Sequence, residues 1–277
     1  MYRFCQKNIG FVIYFHTGVC YNDKKAKGGG IQMDFNGKVA LITGASVGIG
    51  RAAAMRFAEL GADLVLADIN FEKLQSVKAE LAHYGRDVLI YPCDVSDESR
   101  VNEITAYAMT HFGKVDILVN NAALWRNWSK FEETPIELWK KFLNVNVMSV
   151  VYFTNAVLPK MKEQNYGRII NVCSVAGVYG NANMACYSAT KAAVIGMSKA
   201  LAKEVAKQGI TVNAVSPGSV SPAENPDPNF HQPSELAFMG RTGTDMENAN
   251  LICFLASDEA AYISAQNIQI DGCRKKQ

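Results

Sequence analysis

No Cys-x-x-Cys pair occurs in this chain, and its four histidines, His16, His83, His111 and His231, lie too far apart to gather into a motif. A zinc module needs clustered Cys and His ligands, so no metal site is expected. The seven cysteines, Cys5, Cys20, Cys93, Cys173, Cys186, Cys253 and Cys273, read as reduced thiols of a cytoplasmic protein, most of them small apolar side chains in a core. A charge imbalance is missing too: the net charge is +2, the pI is near 8.1, and lysines and arginines are scattered. That composition gives nucleic acid nothing to bind electrostatically. No internal repeat and no linker divides the sequence. No membrane partner is expected, because the apolar stretch Gly10–Cys20 is broken by His16 and falls short of the roughly 20 residues that span a bilayer.

What is present begins after residue 32. Residues 1–32 differ in character from everything that follows. Arg3 and Lys7 precede the apolar stretch as they would in a signal peptide, but no A-x-A-like cleavage site follows, and the run ends in YNDKKAKGGG. Lys27-Gly28-Gly29-Gly30 is what a purine-rich ribosome-binding site looks like when translated, and Met33 follows at a start codon's spacing. The expectation is an N-terminal extension over 1–32, with the natural chain beginning at Met33 and one domain over 33–277.

From Lys38, short apolar runs alternate with longer amphipathic ones, the signature of βαβ units and a parallel sheet. Strands are expected at Val39–Thr43, Asp63–Asp68, Val88–Pro92, Val115–Val119, Arg168–Val172, Ile210–Val215 and Asn267–Ile270. Helices are expected from the turn after Thr43 to Leu60, then at Asn70–Ala82, Glu98–Phe112, Ala185–Ala206 and Met246–Leu255. Another runs from a capping box at Thr134-Pro135-Ile136-Glu137 through Asn146 to about Lys160. Residues 216–244, with Pro217, Pro222, Pro226, Pro228 and Pro233, break this rhythm after a strand's carboxyl end. They read as a lid. Arg274-Lys275-Lys276-Gln277 reads as a solvated tail.

Three features carry chemistry. The turn Thr43-Gly44-Ala45-Ser46-Val47-Gly48-Ile49-Gly50 lies between an expected strand and helix, where glycines let the backbone approach a pyrophosphate at the helix N-terminus. Asp68 closes the second strand 24 residues beyond Gly44, where a carboxylate accepts bonds from two ribose hydroxyls and repels a 2′-phosphate. With no cation at Val47 or Ile69, this favours NAD over NADP. The stretch Ser174–Lys191 places Tyr187 and Lys191 at i and i+4 of a helix, and an ammonium beside a phenol lowers its pKa toward general acid/base use. Asn146 is a poor helix former inside an apolar helix, and a buried amide needs partners. Asp94, at the exit of the third strand, could bond an adenine amino group. Trp125 and Trp128 follow the small residues Asn120-Asn121-Ala122-Ala123 near the crevice outside the strand ends.

Together these motifs resemble the short-chain dehydrogenase/reductase family from Phe35 to the C-terminus. T-G-x-x-x-G-x-G falls on Thr43, Gly44, Gly48 and Gly50, N-N-A-G on Asn120–Ala123, and Y-x-x-x-K on Tyr187 and Lys191. The family's serine falls on Ser174, thirteen residues before the tyrosine, and its asparagine on Asn146. Epimerases and dehydratases use T-G-x-x-G-x-x-G, which is absent. The resemblance implies a single-domain, doubly wound Rossmann fold of the α/β class, with a mostly parallel seven-stranded sheet and helices on both faces. It implies NAD held by Gly44, Ser46, Gly48, Ile49, Gly50, Asp68, Asp94, Val95, Asn121, Ala122, Tyr187, Lys191, Pro217 and Val220. The catalytic set would be Asn146, Ser174, Tyr187 and Lys191, with Lys191 lowering the pKa of the phenol and Asn146 holding a water that links Lys191 to solvent. A homotetramer is implied through the helices Thr134–Lys160 and Ala185–Ala206. Two departures stand out: Ala123 replaces the glycine of N-N-A-G, and Ser221-Pro222 stands where a threonine usually bonds the cofactor.

The expected function is NAD-dependent interconversion of a secondary alcohol and a ketone, small molecules among which a hydroxysteroid or other ring-bearing alcohol suits Trp125, Trp128, Tyr179 and Met184. The alternative is a 3-oxoacyl-[acyl-carrier-protein] reductase. It is placed second because Asp68 disfavours NADPH and because Asn165 and Gln208 are uncharged where carrier-docking arginines would fall. A third reading, a non-catalytic dinucleotide-binding regulator, has no need of an acid/base tyrosine.

Overall fold

Seven short strands pair side by side; the central ones are largely apolar and buried on both sides because helices cover each face of the sheet, while the two edge strands are only partly buried. The computed structural model describes residues 33–126, 128–221 and 223–275, so the extension 1–32 and the end of the tail lie outside the described residues. The strands are β1 (Val39–Thr43), β2 (Asp63–Asp68), β3 (Val88–Pro92), β4 (Ile117–Asn120), β5 (Gly167–Val172), β6 (Ile210–Pro217) and β7 (Asn267–Ile270). Their order is β3-β2-β1-β4-β5-β6-β7, and every neighbouring pair is parallel. The order reverses between β1 and β4, so a crevice opens outside their carboxyl ends, where ligands bind in doubly wound sheets.

The helices are α1 (Gly48–Glu59), α2 (Phe71–Leu81), α3 (Glu98–Phe112), α4 (Ile136–Leu143), α5 (Ser149–Glu163), α6 (Ala176–Tyr179), α7 (Ala185–Val205) and α8 (Asp245–Ala256). Ala52, Ala53 and Ala54 let α1 lie close to the sheet in one core cluster, which also takes Ala249, Ile252 and Ala256 of α8. The other face buries Val101 and Ile104 of α3, Phe153, Val157 and Met161 of α5, and Ala202 and Val205 of α7. The run Ile136–Glu163 is long and apolar enough to cross a membrane by length and composition. Its side chains Phe153, Val157 and Met161 nevertheless belong to this core.

Three local expectations are corrected. Thr134 makes no capping box: its hydroxyl donates to the Lys130 carbonyl (2.8 Å), closing the turn Phe131–Glu133, and Pro135 caps α4 without a side-chain bond. The box forms instead at Thr244 and Glu247, each side chain accepting from the other's backbone N–H (3.0 and 2.8 Å). The helix expected to run unbroken through Asn146 has a π turn over Asn144–Met148, where the Ser149 N–H reaches back to the Asn144 carbonyl. The segment after β6 is folded back on itself: Ser221 and Thr242 N–H groups donate to the Gly243 and Gln232 carbonyls (3.1 and 2.9 Å). Arg274 and Lys275 do not trail into solvent, because Lys275 N–H donates to the Leu236 carbonyl (2.9 Å) and Arg274 bridges to Ala237.

Candidate active site

The glycine turn leaves β1 at the topological switch, and its shape excludes side chains. Gly44 has φ +64°, and a Cβ there would lie 2.8 Å from the Ala122 Cα; a Cβ on Gly50 would lie 2.1 Å from the Gly44 carbonyl oxygen. Asn121 braces this turn. Its Nδ2 donates to the carbonyls of Thr43 and Gly44 (both 3.0 Å), while Thr43 Oγ1 accepts from the N–H groups of Asn121 and Ala122 (2.9 and 3.0 Å). The side chain expected to touch a cofactor therefore holds together the two strand ends that frame the crevice. Ala122 is half-buried behind it, and Ile49 packs its side chain on the core.

Asp68 stands at the end of β2 beside the turn. One oxygen accepts from the Ser46 N–H (3.1 Å) and the other from the Asn70 N–H (2.9 Å), so the carboxylate is oriented and keeps lone pairs for further donors. Asp94 accepts from the N–H and hydroxyl of Ser96 (2.9 and 2.7 Å), and Val95 is buried behind it. Pro217 ends β6 and accepts the Val175 N–H (3.0 Å), tying that strand to the residue after Ser174. Val220 bridges to Gly243, inside the folded-back lid.

Ser174, Tyr187 and Lys191 come together where β5 and α7 meet. The hydroxyl of Ser174 hydrogen-bonds the Tyr187 side chain and also accepts the Ala176 N–H (3.1 Å). Lys191 is 3% exposed; its Nζ donates to the Val172 carbonyl (2.7 Å) and lies 5.8 Å from the centroid of the Tyr187 ring. Burial lowers the pKa of Lys191 from the ordinary lysine value. For Tyr187 the outcome corrects the expected low pKa: burial raises it above the ordinary tyrosine value, and the opposing influence is the Ser174 hydrogen bond. Desolvation of the phenolate outweighs that bond, and the Lys191 ammonium is bonded to a backbone carbonyl rather than to the phenol.

Asn146 explains the π turn. The extra residue swings this 1% exposed amide toward the β4 exit, where Oδ1 accepts the Leu124 N–H (2.7 Å) and Nδ2 donates to the Leu124 carbonyl (2.9 Å) and to Thr190 Oγ1 (3.0 Å). Thr190 in turn donates to the Tyr187 carbonyl (2.8 Å). The amide thus joins the crevice loop to the tyrosine helix, and both its N–H groups are occupied by protein. The water-holding role implied for Asn146 does not fall to them. Thr190 was missed in the sequence, although its place three residues after Tyr187 put it on the same helical face.

Also unforeseen is a buried chain from Asn120 Nδ2 to Asn171 Oδ1, and from Asn171 Nδ2 to Ser198 Oγ (both 2.8 Å), which stitches β4 to β5 and α7. Such amides look like surface residues in a sequence, and only strand pairing shows them to be neighbours. Around the crevice mouth, Arg126 lies over the Trp125 ring (4.8 Å) and pairs with Glu224 of the lid (2.8 Å), Trp128 is exposed, and Met184 is buried. Ala223 of the lid accepts the Gly48 N–H (3.2 Å) and Pro226 accepts from Arg51 (3.1 Å).

A family model described as short chain dehydrogenase matches residues 38–231. The 3-oxoacyl-[acyl-carrier-protein] reductase FabG of Thermotoga maritima is 40% identical over 87% of this chain and 98% of that protein. The 2,5-dichloro-2,5-cyclohexadiene-1,4-diol dehydrogenase LinX of Sphingobium indicum is 40% identical over 85% of this chain and 95% of that protein. Among solved structures, an NAD+-bound xylitol dehydrogenase superposes with a TM-score of 0.80 at 33% identity, covering 86% of this chain and 99% of that one.

Proposed function

The chain belongs to the short-chain dehydrogenase family, and from that premise we propose that it is a cytoplasmic NAD(H)-dependent oxidoreductase that interconverts a ketone and a secondary alcohol. The observation that carries the reading is the meeting of the Ser174 hydroxyl, the Tyr187 phenol and the buried Lys191 ammonium at the crevice end of β5. The residues fit a dinucleotide. The turn at Gly44 and Gly50 is a cradle that a Cβ would fill, and Asp68 offers an oriented carboxylate at its rim. Gly44, Ser46, Gly48, Ile49 and Gly50 would hold the pyrophosphate side, Asp68 the adenosine ribose, Asp94 and Val95 the adenine, and Asn121, Ala122, Lys191, Pro217 and Val220 the nicotinamide half.

When bound, the dinucleotide supplies a hydride donor or acceptor. The protein supplies proton chemistry at the substrate oxygen. Ser174 and Tyr187 both hydrogen-bond that oxygen, and Tyr187 gives it a proton in reduction or takes one in oxidation. The Ser174 bond favours the phenolate as the proton leaves, against the burial that disfavours it. Asn146 and Thr190 hold the first turns of α7 against the crevice loop, fixing where the phenol points.

For the substrate, the names of the relatives support a 3-oxoacyl thioester ahead of a free alcohol, the reverse of the order expected from the sequence. The same Tyr187 chemistry serves both. The free cyclic alcohol or polyol is the second reading, favoured by Asp68 at the ribose end and by uncharged Asn165 and Gln208. Turnover of a 3-oxoacyl thioester, cyclic diols, polyols and hydroxysteroids, each with NAD(H) and NADP(H), tests the proposal. Reduction of the thioester with NADH supports the first reading, polyol or diol oxidation supports the second, and no turnover with any pair refutes both. The homotetramer is part of the same proposal, and light scattering tests it.

A further inference from the structure

Between Ser174 and Tyr187 lie α6 and a five-residue connection, Gly180–Met184, and the shape of that connection sets how the two substrate-binding hydroxyls face one another. The connection is held locally: the Asn181 N–H donates to Ser188 Oγ (3.2 Å) and the Met184 N–H to the Asn181 carbonyl (3.1 Å). Two side-chain bonds join the C-terminal segment to this region, one at the end of α6 and one at the connection itself. The Tyr179 hydroxyl donates to Gln269 Oε1 on β7 (2.5 Å), and the Arg274 guanidinium donates to Asn181 Oδ1 (3.3 Å). Arg274 is itself fixed, since its N–H and that of Cys273 donate to Asp271 Oδ1 (3.3 and 3.0 Å). The same segment carries the far half of the lid through main-chain bonds, Phe238 N–H to the Cys273 carbonyl (2.9 Å) and Met239 N–H to the Gly272 carbonyl (3.1 Å).

We propose that Arg274 is a positioning residue for the reaction: bonded to Asn181 on one side and carried on the lid-bearing segment on the other, it transmits the lid's position to the Ser174–Tyr187 pair. The inference rests on reading those two hydroxyls as the holders of the substrate oxygen. Among the described residues, Asn181 alone in the connection receives a side-chain bond from a cation, and the planar guanidinium orients the amide it bonds. A lid that shifts on substrate binding would move Gly272 and Cys273 through the main-chain bonds, and Arg274 with them. The reacting pair would then be aligned when the lid is seated and loosened when it is not.

The test is a double-mutant cycle of Arg274→Ala and Asn181→Ala in the full chain, with Arg274→Lys beside it. Each single change is expected to lower kcat by roughly three- to tenfold, the range one hydrogen bond commands. The double variant should be no slower than the slower single, because both remove the same contact. Arg274→Lys should recover at least half of the loss. NAD affinity, read by fluorescence titration, and the thermal midpoint should stay at wild-type values, which a merely structural role would not allow. Additive losses, an unchanged kcat in either single variant, or a fall in NAD affinity or thermal midpoint that parallels the loss of rate would overturn the proposal. Failure of the underlying reading looks different: the wild-type protein would be inactive across the substrate panel, or Tyr187→Phe would retain its turnover.

Discussion

Replacing Asn146 with alanine removes three hydrogen bonds from a side chain that is 1% exposed, and their partners decide the size of the effect. Thr190 keeps its own donor bond to the Tyr187 carbonyl, so its loss is small. Leu124 loses a partner for both its N–H and its carbonyl. An orphaned buried backbone group costs about 1–3 kcal/mol, and since Leu124 is only half-buried the lower half of that range applies, giving about 2–4 kcal/mol in total. For a domain of this size each kcal/mol moves the midpoint by about 2–4 °C, so a fall of roughly 5–15 °C is expected. Thermal unfolding followed by circular dichroism measures it. Asn146→Asp should fall at least as far, because a carboxylate still accepts the Leu124 N–H but buries a charge whose second oxygen faces the Leu124 carbonyl. A midpoint within about 2 °C of wild type for the alanine variant, with turnover lost, would refute the bracing role and point to direct participation in the chemistry.

Tyr187→Phe should abolish turnover by at least about a hundredfold, as loss of a general acid does, while NAD binding by titration is retained; comparable rates in the two proteins would sink the assignment. Gly50→Ala should lose dinucleotide binding, because the added methyl would stand 2.1 Å from a backbone oxygen that cannot withdraw; retained affinity would show that the turn is looser than described. Asp245, buried at the start of α8 near Arg51, has its carboxyl pushed up by burial to about 6. Its folded-state value lies above the unfolded one, so the folded state binds the extra proton and stability falls as pH rises from about 4 to about 6. Asp245→Asn should therefore raise the thermal midpoint at pH 8 and leave it unchanged at pH 4, and an equal change at both would refute the linkage.

Local chemistry made the frame of this protein legible in its sequence. Val39–Thr43, Asp63–Asp68, Val88–Pro92 and Asn267–Ile270 form strands with the expected bounds, the first two because a buried parallel strand needs an apolar run that Gly or Asp closes. The glycine turn was legible for a similar reason, since only glycine fits where a Cβ would meet the backbone. Spacing along one helix also sufficed to pair Tyr187 with Lys191.

Contacts between distant segments were decided only by the tertiary structure. Asn146 could be marked as an amide in need of partners, but its partners, Leu124 and Thr190, lie 22 and 44 residues away, and the π turn that aims it has no local signature. Thr134 and Thr244 both begin a T-x-x-E spacing, and which one caps a helix depends on what the preceding turn already holds. The pKa of Tyr187 depends on how deeply α7 packs, and burial there outweighs the hydrogen bond from Ser174. The sequence by itself determined the reaction chemistry and the crevice that houses it, because both follow from residue type and local spacing. Which distant side chains meet, as Asn146 meets Thr190 and Arg274 meets Asn181, was settled by packing, because hydrogen bonds across tens of residues exist only once the sheet has brought their ends together.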